Sequence, residues 1–281
     1  MIRRPVVWQR ILKLMAIALM LAASLGACRD APTGPELKPL QLVWQDEFDG
    51  PAGQPPDTLR WRHDVGGSGW GNNQLEYDTD RPENASLDGS GHLAIVAREE
   101  AYMGRAYTSA RINTRGRFAA TYGRFEARIK LPSGRGLWPA FWLLGSDLDA
   151  VGWPTCGEID IMEYRGQQPR VVHGSLHGPG YSGGSALTSP FELIPSAFDQ
   201  GFHDFAVEWD AERITWMVDG ITYKTATPDD LPAGTRWVFD HPFFIILNVA
   251  VGGNYVGPPD ASTSFPQTLL VDRVRVYQAE P

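Results

Sequence analysis

Three carboxylates lie close together in residues 157–163, which read Gly-Glu-Ile-Asp-Ile-Met-Glu. Glu158, Asp160 and Glu163 alternate with apolar side chains, a spacing typical of a strand with one buried face. Neighbouring carboxylates repel each other when all are ionised, so the pKa of at least one of them should rise. One group can then act as an anion while another donates a proton. The segment therefore predicts a site for nucleophilic or general acid–base chemistry.

The spacing of the third acid requires an irregular strand. Residues two apart share a face of a regular strand, so Glu158 and Asp160 point one way and Glu163 points the other way. One extra residue, a β-bulge, reverses the parity and returns Glu163 to the face of the other two acids. We expect this bulge at Met162 or a neighbour, with either Ile161 or Met162 facing the core.

Tryptophans at positions 138, 142 and 153 precede the acidic segment. Flat aromatic faces suit the apolar faces of sugar rings, and a pair of carboxylates is the standard equipment of glycoside hydrolysis. An isolated acidic stripe is more often a solvated surface, and isolated tryptophans more often belong to a core. The combination favours a carbohydrate-cleaving site, with Trp138, Trp142 and Trp153 as sugar contacts.

His173 and His177 offer a second kind of chemistry. Residues four apart share a face of a strand, so the pair could contribute to a zinc site. A third ligand at metal-like spacing does not follow in the sequence, so zinc is not favoured.

The elements that position these residues are strands. Alternating apolar residues recur in segments 125–131, 205–209 and 214–218, and Asp-Gly at 219–220 lies between two such runs, which predicts a hairpin. Residues 243–251 form a nearly continuous apolar run, typical of a strand covered on both faces. Many short strands with Gly and Pro turns predict an all-β sandwich or jelly roll, in one domain over residues 41–281.

The N-terminal 27 residues have the layout of a signal peptide. Four basic residues precede an apolar run at 14–23, which is too short to span a bilayer as a helix. The run ends in Leu25-Gly26-Ala27-Cys28, which resembles the lipobox of bacterial lipoproteins. That resemblance implies cleavage before Cys28 and acylation of the cysteine, which would anchor the protein to a bacterial membrane. The alternative is ordinary secretion with cleavage near Ala27.

Residues 28–40 contain three prolines and one glycine and show no apolar pattern, which predicts a lipidated tether before the domain. Removing residues 1–27, which carry four positive and no negative charges, changes the net charge from -8 to -12. So acidic a chain is a poor candidate for binding nucleic acid, because phosphate recognition needs a basic surface. With Cys28 lipidated, Cys156 is the one remaining cysteine, and we expect it to be a small buried hydrophobe.

Between Val43 and Tyr277 the chain resembles glycoside hydrolase family 16, and within it the laminarinase-like endo-β-1,3-glucanases. The resemblance rests on motifs in a specific order and spacing, at 44–48, 69–73, 122–128, 138–142, 157–163, 202–203 with 207–209, 248–253 and 271–277. It implies a concanavalin A-like jelly roll with a concave substrate cleft, and hydrolysis with retention that needs no cofactor for catalysis. It also implies a monomer acting on β-glucan.

The resemblance assigns roles to the three acids. Glu158 corresponds to the nucleophile, Glu163 to the acid/base, and Asp160 to a residue that tunes their charge. Retention implies that the two glutamate carboxyls lie about 5–5.5 Å apart. Family members that act as lichenases have one residue fewer in this motif, so the extra residue near Met162 favours the bulged branch, which holds laminarinases, agarases and carrageenases.

Further residues follow from the same resemblance. Asn73 and His177 correspond to cleft residues near the sugar. A structural calcium ion on the far face corresponds to ligands at Glu47, Gly89 and Asp272, largely through main-chain oxygens. The family commonly reads Asn-Glu-Leu-Gln-Tyr where residues 73–77 read Asn-Gln-Leu-Glu-Tyr, so a sugar contact there is expected to differ.

Four functions remain open at this point. The first is internal cleavage of β-1,3-glucan, and the second is the same machinery acting on mixed-linkage glucan or on a galactan such as agarose. The third is transglycosylation, which passes through the same covalent intermediate. The fourth is a glucan-binding surface protein without activity, a class whose members have lost the glutamates that this chain keeps.

Overall fold

The structure is a computed structural model that describes residues 39–280. The predicted signal peptide, nearly all of the tether and the lipidation site Cys28 lie outside the described residues. Within that range, no helix has the length and apolar character needed to cross a membrane. The first strand begins at Leu40, the last residue assigned to the tether from the sequence.

Seventeen strands are described between residues 39 and 280. In chain order they are β1 (Leu40–Asp46), β2 (Arg62–Asp64), β3 (Glu76–Asp78), β4 (Ala85–Leu87), β5 (Leu93–Tyr102), β6 (Arg105–Ser109), β7 (Arg111–Asn113), β8 (Gly123–Lys130), β9 (Leu137–Gly145), β10 (Glu158–Tyr164), β11 (Val171–His177), β12 (Leu187–Glu192), β13 (His203–Trp209), β14 (Ile214–Val218), β15 (Ile221–Ala226), β16 (Phe243–Val251) and β17 (Gln267–Ala279). A four-residue helix, α1 (Leu148–Val151), and two short 3-10 helices, Gly183–Ser185 and Pro228–Asp230, complete the described elements. The prediction of an all-β chain is confirmed.

The strands form two sheets. A seven-stranded sheet has the order β12-β11-β10-β9-β16-β7-β2, which places the acidic strand β10 between β9 and β11. A ten-stranded sheet has the order β15-β14-β13-β8-β17-β5-β6-β3, with β1 paired to β17 and β4 paired to β5. The two sheets pack as a jelly-roll sandwich around one large apolar core, because each strand directs alternate side chains inward.

The predicted patterns appear in the strands. Phe125, Ala127 and Ile129 of β8 are fully buried, as their alternation predicts. All nine residues of β16 are buried, which confirms a strand covered on both faces. Asp219 and Gly220 both have positive φ, 49° and 77°, and join β14 to β15 as the predicted hairpin turn.

Candidate active site

The acidic strand β10 contains the predicted bulge. Against β9, Asp160 lies opposite Trp142 and Met162 opposite Phe141, so one extra residue, Ile161, is inserted between them. The pairing of β10 with β11 also shifts after Asp160. One of the two bulge residues was expected in the core, whereas both Ile161 and Met162 are buried there, because the bulge accommodates two consecutive inward side chains.

The bulge brings the three acids to one cavity of about 840 Å³ on the outer face of the seven-stranded sheet. Outward residues of six adjacent strands, from β12 to β7 in the sheet order, line this cleft, while their inward neighbours belong to the core. On β9, for example, Trp138 and Trp142 line the cavity, and Leu137, Phe141 and Leu143 pack inward.

Glu158 follows Gly157, a glycine with φ of 73° that turns the chain into β10. Its Oε2 accepts a hydrogen bond from the indole of Trp153 at 2.7 Å. Its Oε1 lies 3.8 Å from His177 Nε2. Burial and the nearby charge of Asp160 raise the pKa of Glu158 to about 8, and the bond from Trp153 opposes this shift.

Asp160 is 3% exposed and lies beside Glu158. Burial, followed by the charge of Glu163, raises the pKa of Asp160 well above its usual range. Asp160 and Glu158 lie two residues apart on β10, and both face His177 Nε2, at 3.0 and 3.8 Å. Like charges this close disfavour ionisation of both carboxyls at once, so the pair loses its two protons in separate steps.

Glu163 accepts hydrogen bonds from two donors. Its Oε1 accepts a bond from the Trp138 indole at 3.2 Å, and its Oε2 accepts one from the Ser175 hydroxyl at 3.1 Å. Burial is the main cause that raises the pKa of Glu163, while the neighbouring His177 lowers it. A raised pKa keeps a proton available on Glu163 for donation.

His177 faces the acids with a defined ring nitrogen. Its Nδ1 accepts a hydrogen bond from the main-chain N–H of Gly183 at 3.0 Å, so Nε2 carries the proton. Nε2 lies 3.0 Å from Asp160 Oδ2, a close approach without hydrogen-bond alignment. Glu158, Asp160 and His177 could surround a cation by distance alone. The protonated Nε2, however, offers no lone pair to a metal.

His173 does not join His177 at a metal site. Its ring packs edge-on against Tyr255, and burial lowers the pKa of His173 to about 4. The paired-histidine zinc hypothesis therefore has no support in the described residues.

The structure brings four of the five predicted sugar contacts to the cavity. Trp138, Trp142, Trp153 and His177 all line it, and Trp153 is 49% exposed. Asn73 lies at the rim instead, where its amide donates to Asn254 at 3.0 Å. A positive φ of 56° at Asn73 turns the chain there, and its neighbours Asn72 and Gln74 line the cavity.

The unusual order of residues 73–77 falls partly inside the cleft. Gln74 lines the cavity, whereas Glu76 is fully buried behind it and accepts the main-chain N–H of Val251 at 2.7 Å. Burial raises the pKa of Glu76 to about 7. The amide of Gln74 is therefore the group that faces the cleft, whereas the acid of Glu76 bonds to main chain in the interior.

Sequence reasoning missed a stacked group at the far end of the cleft. The Arg111 guanidinium lies between the rings of Trp70 and Trp142, 4.7 and 4.8 Å from their centroids. Trp70 also donates to the buried Asp78 at 2.7 Å. Ser175 was missed as well, although it lies two residues before His177 and therefore on the same face of β11.

The predicted calcium ligands lie away from the cleft. The Glu47 carboxylate is engaged by Arg275 at 2.7 and 2.9 Å, and the Asp272 carboxylate by Arg128 and Arg273. These side chains therefore do not form a carboxylate cage. Calcium ligation through main-chain oxygens, the mode that the family resemblance implies, stays a prediction.

Cys156 is fully buried, as expected, and burial raises the pKa of its thiol to about 11. It packs with Leu144, Phe244 and Ile246 in a small apolar cluster under one end of the cleft. The thiol is therefore structural.

Paired carboxylates on one wall of an aromatic-lined cleft, carried by a jelly roll, define a glycoside hydrolase. Residues 69–268 match the model of glycosyl hydrolases family 16, and the chain belongs to that family.

The chain is similar to several glucanases. A β-glucanase from Rhodothermus marinus is 46% identical over 254 residues, which cover 85% of each chain. The laminarinase catalytic domain of Thermotoga maritima MSB8 is 47% identical, with a TM-score of 0.81 over 86% of this chain and 99% of that one. The endo-β-1,3-glucanase of Pyrococcus furiosus is 44% identical, with a TM-score of 0.82 over 86% and 96%.

Proposed function

We propose that this protein cleaves β-1,3-glucan internally by a retaining double displacement, with Glu158 as nucleophile and Glu163 as acid/base. The observation that carries this assignment is the bulge after Asp160, which places Glu158 and Glu163 on one wall of the same cavity. The similarity to laminarinases and endo-β-1,3-glucanases supports the choice of substrate.

In the first step, a Glu158 oxygen attacks the anomeric carbon of the sugar on one side of the scissile bond. Glu163 gives its proton to the glycosidic oxygen, the bond from that oxygen to the anomeric carbon breaks, and the shortened chain leaves. The product on the enzyme is a glycosyl ester of Glu158.

In the second step, Glu163, now ionised, takes a proton from water, and the hydroxyl oxygen attacks the anomeric carbon. Glu158 leaves as a carboxylate, so two inversions restore the original configuration. Glu158 attacks as the anion, and the hydrogen bond from the Trp153 indole favours that form. The Nε2–H of His177 faces Glu158 and Asp160.

The cavity lining combines tryptophan faces with amide groups, a surface suited to a neutral polysaccharide. A binding protein without activity would not need three acids in a buried cluster, whose repulsion costs stability.

Side-by-side digestion of laminarin, barley β-glucan and agarose tests the function. We expect short oligosaccharides from laminarin early in the reaction, and proton NMR should detect the β-anomer first. Degradation of agarose without cleavage of laminarin would refute the substrate, and an α-anomer formed first would refute retention. Glu158→Gln, which lacks the nucleophile, is the control for contaminating activity.

We also propose export and lipid anchoring at Cys28. The support is the sequence alone, in the lipobox-like residues 25–28 and the proline-containing tether that follows. Labelled fatty acid supplied to expressing bacteria should be incorporated into the wild type and not into Cys28→Ser. Label that persists in Cys28→Ser would refute the anchor.

A structural calcium ion completes the proposal. The segments of Glu47 and Asp272 are adjacent, since Asp46 pairs with Val274 across β1 and β17. Gly89 lies beside the loop that follows β1, where a Cβ added to it would lie 2.9 Å from the Ala52 nitrogen. We expect calcium to raise the melting temperature of chelator-treated protein without changing its activity at 25 °C. An unchanged melting temperature would refute the ion.

A further inference from the structure

Lys224 places a cation between the edges of the two sheets. It lies on β15, the edge strand of the ten-stranded sheet. Its ammonium donates to the carbonyl of Gly174 on β11 at 3.2 Å and to the carbonyl of Leu187 on β12. Its acceptors are thus neutral main-chain groups of the sheet that carries the active site. Placing an ammonium against neutral partners costs free energy, so packing alone does not explain why a lysine occupies this position.

Trp216 links this cation to the catalytic strand. Trp216 is the register partner of Lys224 across β14 and β15, and the ammonium lies 4.4 Å from the centre of its ring. The Trp216 indole crosses the core and donates to the main-chain carbonyl of Asp160 at 2.8 Å. Asp160 is the residue after which the strand pairing shifts. A bulge disrupts the main-chain ladder, and this indole supplies a bond at that place.

The same pair reaches Glu163 through β11. A Cβ at Gly174 would lie 2.4 Å from Trp216 Cδ1, so this glycine allows the indole to approach. Gly174 accepts the bond from Lys224, and the next residue, Ser175, donates to Glu163. Both acids that flank the bulge are therefore connected to the opposite sheet.

We propose that Trp216 and Lys224 are positioning residues, which fix the catalytic bulge from the opposite sheet and supply a positive charge behind the Glu158–Asp160 pair. The inference rests on the proposed function. It assigns to β14 and β15, which contribute no cavity-lining residue, a part in the reaction.

The charges around Lys224 determine the direction in which it changes the pKa values of the acids. Burial lowers the pKa of Lys224 to about 8, so the ammonium is charged at neutral pH. The titratable groups that face this ammonium or the acids in front of it are Glu158, Asp160 and Glu163 on β10, His177 on β11, Tyr223 on β15, Asp230 after β15, and Tyr255. A cation near the Glu158–Asp160 pair favours its ionised form.

The test compares two substitutions at Lys224. Lys224→Gln keeps a donor for the carbonyls and removes the charge, whereas Lys224→Arg keeps the charge. The pH dependence of kcat/KM on laminarin should show an acidic limb from ionisation of the pair. We expect this limb to move to higher pH by about one unit in Lys224→Gln, and to stay at the wild-type position in Lys224→Arg.

Trp216→Phe tests the positioning role of the indole, and it does so whether or not Lys224→Gln folds. Loss of the indole donor should lower kcat about ten- to hundredfold with KM nearly unchanged, because the acids are misplaced and the sugar contacts are intact. Unchanged kcat in Trp216→Phe, or an unmoved acidic limb in folded Lys224→Gln, overturns the inference. If the wild type does not cleave laminarin, the proposed function is refuted. If the wild type is active and the variants give these negative results, only the positioning role of Trp216 and Lys224 is refuted.

Discussion

The Trp153 indole nitrogen lies 2.7 Å from Oε2 of Glu158, which ties the most exposed tryptophan of the cleft to the proposed nucleophile. A hydrogen bond to a carboxylate favours its ionised form. The bond therefore opposes the burial that raises the pKa of Glu158. Trp153 is thus both an exposed part of the cleft wall and a hydrogen-bond donor to the proposed nucleophile.

Replacing Trp153 by phenylalanine separates these two roles. The ring remains for sugar contact and the donor is lost, so we expect the acidic limb of kcat/KM to move to higher pH and kcat/KM to fall about tenfold. Trp142→Phe is the matched control, because its indole donates to Asn248 and not to an acid. A limb that moves equally in both variants would contradict the assignment.

Azide rescue distinguishes the two glutamates. We expect Glu158→Gly and Glu163→Ala each to lose at least about a thousandfold in kcat. Azide attacks directly in the space left by Glu158 and should give the inverted glycosyl azide, whereas in Glu163→Ala it attacks the covalent intermediate and should give the retained one. The same anomer from both variants would refute the roles, and the exposed Glu212→Gln should keep full activity.

The sequence predicted the catalytic strand well because the prediction depended on parity. Counting side-chain faces from Glu158 to Glu163 required a bulge, and the structure has it between Asp160 and Met162. The pattern could not reveal that both Ile161 and Met162 turn inward, since that depends on the local geometry of the bulge.

Other parts of the site depend on contacts that no local pattern encodes. Trp216 reaches Asp160 from 56 residues away across the sandwich. At Asn73 a positive φ turns the chain, so that Gln74 lines the cavity and Asn73 lies beside it. Single-sequence reasoning gives no access to either fact.

The acid cluster should cost stability at high pH. Glu158 has an ordinary pKa of 4.5 when unfolded and about 8 when folded, so the folded state binds more protons between these values. Its contribution to stability is present below about pH 4.5 and is lost as the pH rises through 8. We therefore expect Glu158→Gln to melt a few degrees above the wild type at pH 9, with a smaller difference at pH 4.

Calorimetry at both pH values measures this difference. Glu212→Gln, at an exposed site, is the control and should shift the melting temperature equally at pH 4 and pH 9. A Glu158→Gln protein that is no more stable than the wild type at pH 9 would contradict the raised pKa.

Gly174 should not tolerate a side chain. An alanine Cβ would lie 2.4 Å from Trp216 and 2.5 Å from the Tyr223 hydroxyl, in a packed region between the sheets. We expect Gly174→Ala to lower the free energy of unfolding by about 1–3 kcal/mol, measured by urea denaturation. Gly201→Ala, where no atom lies within 4 Å of the added Cβ, is the control and should change it by less than about 0.5 kcal/mol. Equal effects would refute the close approach.

The bulge in β10 also bears on how such enzymes diversify. With the extra residue, Glu158, Asp160 and Glu163 all face the cleft. If that residue were deleted, the third acid would lie four positions after Glu158 on a regular strand. Residues two and four positions apart share a face, so all three acids would again face the cleft. An in-frame loss of one codon between Asp160 and Glu163 therefore keeps three acids on the cleft wall, whereas no point mutation changes the strand length. The two forms of the strand are therefore one genetic step apart, and three acids face the cleft in both.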